Sequence, residues 1–139
     1  MPGTTLLELI TVLTLIGVGG ATLAPTARRL AEGAAVAAAR EQVVALLLEG
    51  RGAAVASGGA TVVLRASPPA GRIDAGSRIG RWEALSPDIT MHLGSSRDSA
   101  QVRFDGLGIG RFANLSLYVR RGNATTGLVI SSYGRIRRR

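Results

Sequence analysis

The sequence predicts an α+β fold in which one long N-terminal helix packs on a small antiparallel β-sheet. Three observations predict it. Residues 6–24 form an apolar run with a single charge, residues 26–57 carry apolar side chains at helical spacing, and beyond residue 58 the apolar period changes to two.

The apolar run is nineteen residues long. At ~1.5 Å per residue it makes ~28 Å of helix, enough to cross the hydrocarbon of a bilayer. Its one charge is Glu8. A cleaved secretory signal would use Thr22-Leu23-Ala24 as its small-residue site. Pro25 would then follow the scissile bond, and no basic residue precedes the run. A plain membrane anchor leaves Glu8 unexplained, because a carboxylate in hydrocarbon costs about 2.5–3.5 kcal/mol on insertion scales and asks for a partner. An interfacial Glu8 reaching the headgroups is the simplest alternative.

From Thr26 the composition turns to Ala, Leu, Arg, Glu and Gln. Val36, Ala39, Val43, Leu47, Gly50 and Ala54 form one apolar stripe, and Ser57-Gly58-Gly59 ends the helix. This amphipathic helix continues the apolar one and is expected to lay its stripe on a sheet. Strands are expected at 61–66, 82–85, 89–93, 102–104, 114–120 and 128–132, with a Pro/Gly loop over 67–80. Leu115, Leu117 and Val119 alternate with Ser116, Tyr118 and Arg120, the pattern of a half-buried strand.

Charge is unevenly placed. The net charge is +8, every basic residue is Arg, and the last twenty residues hold six Arg and no acid. A GC-rich genome accounts for Arg usage; a surface suited to phosphates is the functional alternative. No Cys is present, so neither a disulfide nor a thiolate metal site is available. His92 is the sole His and has no ligand set around it in sequence, and no nucleophile–base pair stands out. No metal, cofactor or catalytic role is therefore expected. Gly106-Leu107-Gly108-Ile109-Gly110 lacks the spacing of a phosphate loop and reads as a hairpin turn.

Gly3-Thr4-Thr5-Leu6-Leu7-Glu8, followed by the apolar run, resembles the processing signal of type IV pilins and pseudopilins. The resemblance implies cleavage between Gly3 and Thr4, N-methylation of Thr4, and Glu8 as the fifth mature residue, acting in assembly. It also gives Gly17 and Pro25 the role of helix flexibility, which fits the lower cost of opening a helix at Gly and Pro. Two departures stand out: Thr4 replaces the usual Phe or Met, and Met1-Pro2 carries no basic residue. A basic leader upstream of Met1 would reconcile the second. Phe104-Asp105-Gly106, Leu128-Val129-Ile130-Ser131 and Gly134-Arg135-Ile136-Arg137 are similar to the GspH/FimT family of minor pseudopilins and pilins.

That resemblance implies a pilin-like α+β fold: a leader over 1–3, a transmembrane and filament-core helix over 4–25, its amphipathic continuation over 26–57, and a sheet domain over 58–139. It implies a minor pseudopilin of a type II secretion system or a related type IV pilus machine. The expected location is the bacterial inner membrane, single-pass, with the C-terminal domain extracytoplasmic. Expected partners are prepilin peptidase, the inner-membrane assembly platform and other pilins or pseudopilins in the filament. The alternative is a FimT-like minor pilin that binds DNA in transformation through Arg135, Arg137, Arg138 and Arg139. Arg135 and Arg137 would share a face of an extended chain ~6.6 Å apart. An edge strand guarded by its Arg side chains, or a contact with an acidic neighbouring subunit, explains the same residues.

Overall fold

The computed structural model describes residues 5–86, 88–111 and 114–139, and their side chains apart from 18–23. Gly3 and Thr4 lie outside the described residues, as does the rest of the 1–3 leader.

Helix α1 runs over Leu6–Ser57. Thr5 caps it in an extended conformation, its Oγ1 accepting the Glu8 N–H at 3.4 Å. Thr11 and Thr14 donate their hydroxyls to the carbonyls of Leu7 and Ile10 at 2.8 and 2.7 Å, so neither polar group needs a partner outside the helix. At the far end Gly58 takes φ 78°, the left-handed conformation that stops a helix at little cost for Gly.

The strands after it form two antiparallel sheets, where the sequence led us to expect one. The strands are β1 (Gly59–Arg65), β2 (Ala70–Ala75), β3 (Glu83–Ala84), β4 (Thr90–Leu93), β5 (Ser99–Asp105), β6 (Gly110–Arg111), β7 (Leu115–Arg121), β8 (Ala124–Ile130) and β9 (Ile136–Arg138). The first sheet has the order β3-β2-β1-β5-β6 and the second β4-β7-β8-β9. Strand β2 falls inside the expected 67–80 loop. Its sequence is too polar and Gly-rich to announce a strand, yet it pairs with β1 from Ala60↔Ala75 to Arg65↔Ala70. Tertiary pairing overrides weak propensity there. Gly71 makes this packing feasible: a Cβ at that position would run into the Leu46 side chain of α1.

Both sheets turn their inner faces to the helix. All six residues of the expected stripe are buried, Ala39, Val43, Leu47 and Ala54 completely. They share one core with Val62, Leu64, Val102 and Phe104 of the first sheet and Leu93, Leu117, Leu128 and Ile130 of the second. Gly50 permits close approach to β1, since a Cβ there would overlap the Val62 side chain. The sheets are tied where the Gly110 N–H donates to the Tyr133 carbonyl at 3.2 Å, with the Gly110 and Gly134 backbones in contact.

Leu47 and Leu48 offer a direct comparison, because one is fully buried and its neighbour is 55% exposed. Leu47→Ala is expected to destabilise the fold by about 2–5 kcal/mol and Leu48→Ala by less than about 0.5 kcal/mol. Denaturant unfolding monitored by circular dichroism checks both.

Candidate functional site

Among the described side chains, the first half of α1 is exposed. Leu6 and Leu7 are each 77% exposed, and Leu9, Ile10, Leu13 and Ile16 are also largely uncovered. Glu8 sits in the first turn, where its N–H completes the Thr5 cap and its charge complements the positive end of the helix. Thr5 and Glu8 thus match a capping-box spacing, a purely local reason for an acid at this position that the sequence argument passed over. A Cβ at Gly17 would meet nothing within 4 Å, so packing within this chain does not require Gly there. Pro25 lies inside the continuous helix and cannot donate a backbone hydrogen bond to the preceding turn. Among the described residues no helix is long and apolar enough to cross a membrane. Residues 18–23 of the expected 4–25 span lie outside the described side chains.

The Arg-rich terminus is folded. Ser131 to Arg135 make a tight turn, with the Ser131 N–H donating to the Arg135 carbonyl at 2.9 Å and the Gly134 N–H to the Ser131 carbonyl at 2.9 Å. The chain then returns as β9 along β8, pairing Ile130↔Ile136 to Leu128↔Arg138. Gly127 and Arg139 exchange backbone hydrogen bonds at 3.0 and 2.9 Å, which ties down the last residue. Gly134 adopts φ 79° against Phe104 and Gly110, so the Gly of Gly134-Arg135-Ile136-Arg137 has a structural reason of its own.

Alternation along β9 divides the arginines. Arg138 points with Ile136 toward the helix and binds Glu41 in a two-pronged pair, Nε to Oε1 at 3.0 Å and Nη2 to Oε2 at 2.9 Å. Arg40 reinforces the junction, bonding Glu41 Oε1 at 3.0 Å and Thr126 Oγ1 at 3.2 Å. Arg137 and Arg139 lie on the opposite, outer face beside Val129. Arg135 is exposed at the mouth of the turn. All four tail arginines are exposed, but they differ in partners: Arg138 latches the tail to α1, and the other three make no ion pair among the described residues.

Two further acids hold loops. Glu32 accepts from the Asn123 N–H of the β7–β8 turn at 3.2 Å and from Arg28 Nε at 3.0 Å. These bonds, the Asn123 one foremost, hold its carboxyl below the usual range. Asp105 accepts from the Ile109 and Leu107 N–H groups at 2.9 and 3.0 Å, shaping the β5–β6 hairpin, and its carboxyl is lowered mainly by the Ile109 bond. The Glu32 role was not legible in sequence, since Glu32 and Asn123 meet only through the tertiary fold. Among the described residues no cluster of His, Cys, Asp or Glu could hold a metal ion.

The Arg138 hydrogen bonds lower the Glu41 carboxyl from 4.5 to about 2, with Arg40 adding to them. A depressed carboxyl stabilises the fold in its ionised form. The contribution is complete above about pH 4.5 and is lost as pH falls through about 2. An NMR titration should therefore show the Glu41 carboxyl still ionised at pH 3, and Arg138→Ala should return it toward the ordinary value.

No family model and no curated protein matches this chain. Two solved structures are similar to it, both of the type IV minor pilin FimU of Pseudomonas aeruginosa in different crystal forms. One is 16% identical with a TM-score of 0.55, covering 75% of this chain and 87% of that one. The other is 17% identical with a TM-score of 0.52, covering 73% and 90%. The long helix packed on antiparallel sheets is thus the fold of a type IV minor pilin.

Proposed function

We propose that this chain is a minor subunit of a pilin-type filament, either a type IV pilus or a type II secretion pseudopilus, held in the bacterial inner membrane before assembly. The exposed apolar first half of α1 carries the reading. Each Leu or Ile left in water forgoes about 1.5–3 kcal/mol of burial, so this segment needs lipid or neighbouring helices around it. Cleavage between Gly3 and Thr4 by prepilin peptidase, with methylation of Thr4, would create an amine able to meet Glu8 of an adjacent subunit. The buried pair would reward assembly in register. Gly17 and Pro25 would let the helix adjust as subunits pack, and the inner-membrane platform would extract the subunit. The likeness to FimU supports a structural rather than catalytic role.

A second reading is DNA contact through the tail. It is favoured by Arg135, Arg137 and Arg139, which make no ion pair among the described residues. Arg138 is the tail residue least suited to it, being committed to Glu41.

N-terminal sequencing of filament-derived protein is expected to begin at methylated Thr4; a chain starting at Pro25 would remove the pilin reading. Glu8→Val is expected to leave the protein in the membrane fraction while excluding it from sheared filaments. Normal incorporation of that variant would leave Glu8 with only its helix-capping role.

A further inference from the structure

The outer face of the first sheet carries a group of side chains that neither the core nor the filament helix uses. Arg65 and Arg72 project from β1 and β2 on this face, and Trp82 comes to lie with them just before β3. The guanidinium carbons of Arg65 and Arg72 stand 4.5 and 4.8 Å from the centroid of the indole ring. Trp82 nevertheless remains 38% exposed. On β5, the strand next to β1, Arg103 stands directly opposite Arg111 on β6.

Charge balance on this face is incomplete. Asp74 is engaged by Arg72 at 3.1 Å and Asp105 by Arg111 at 3.2 Å. Arg65 and Arg103 make no ion pair among the described residues. Asp105 compensates Arg111, which leaves Arg103 as the member of this cross-strand pair without an acidic partner among the described residues. An anion at Arg103 would complete the charge balance of this row. From Arg65 to the Arg103 row is four residues along the strand, about 13 Å, and one strand spacing across. That is a track several phosphates long with a planar, partly open ring at one end.

We propose that this face binds single-stranded nucleic acid, with phosphates on Arg65 and Arg103 and a base stacked at the column formed by Trp82 and its arginines. Phosphates alone would be served by arginines anywhere on the surface. The partly exposed ring, with two guanidinium groups stacked over it, is what selects a ligand with unpaired, planar bases over a bare polyanion or a duplex. The site lies on a different sheet from the tail arginines and stands or falls independently of the filament reading.

Trp82 is the chain's one Trp, so its emission reports on this site alone. The full-length protein should be titrated with fluorescein-labelled oligodeoxythymidylate, following label anisotropy and Trp82 emission together. Binding accompanied by Trp82 quenching is expected, weakening steeply with salt. Arg65→Ala with Arg103→Ala should weaken it at least tenfold and reduce the salt slope by about 1.4, at about 0.7 per phosphate contact on a single strand. Trp82→Phe should retain most of the affinity and Trp82→Ala should lose about tenfold, with circular dichroism confirming that each variant is folded. Arg137→Ala with Arg139→Ala should leave Trp82 quenching unchanged. Equal binding and quenching by inorganic polyphosphate, or affinity lost with the tail variant and kept with Arg65→Ala and Arg103→Ala, would overturn the proposal.

Discussion

Everything after residue 58 is arranged by the apolar stripe between Val36 and Ala54 on α1. Two sheets of unequal size, with no strand in common, bury their inner faces on this one strip of helix, and all three surfaces form a single core. A sheet with one apolar face must cover it, and neither sheet is large enough to close on itself. Gly50 and Gly71 set how near the helix comes to β1 and β2, because a side chain at either position would collide with Val62 or Leu46. The contact between Gly110 and Gly134 then closes the seam between the sheets.

The same helix has two halves with different solvents in view. Its second half is buried on one side by its own domain, while the first half presents Leu6, Leu7, Ile10 and Ile16 with no intramolecular cover. The Thr11 and Thr14 hydroxyls are satisfied by the helix backbone, which makes this half compatible with an apolar surrounding. A helix that is folded yet unpacked within its own chain derives its stability from something beyond that chain, which is the physical content of the filament reading.

Acidic residues are spent on holding the fold. Glu32 fixes the β7–β8 turn, Glu41 fixes β9, Asp74 and Asp105 pair with Arg72 and Arg111, and Asp88 pairs with Arg121. The large Arg excess is therefore left on α1, in the loops and on the outer faces of both sheets. Exposed pairs of this kind contribute little stability each. Their effect is on which way each charge points, and Arg138 illustrates it: a residue that reads as part of a basic tail is held along the surface by Glu41.

The sequence alone determined the α+β class, the stripe from Val36 to Ala54, the end of the helix at Ser57 and the alternating strand around Leu117. These are local signals: helical or two-residue periodicity and a Gly stop are written within short windows of chain. It also singled out Gly3, Thr4 and Glu8 by their spacing. Tertiary structure alone decided that β2 is a strand, that there are two sheets, and that the tail arginines divide between Glu41 and solvent. Each of these depends on partners far apart in sequence, such as Arg138 and Glu41, and no short window of sequence contains both members of such a pair. The glycine at 134 shows the difference most plainly: its motif suggested a ligand, whereas its φ of 79° and its contact with Gly110 give it a reason that only the folded chain supplies.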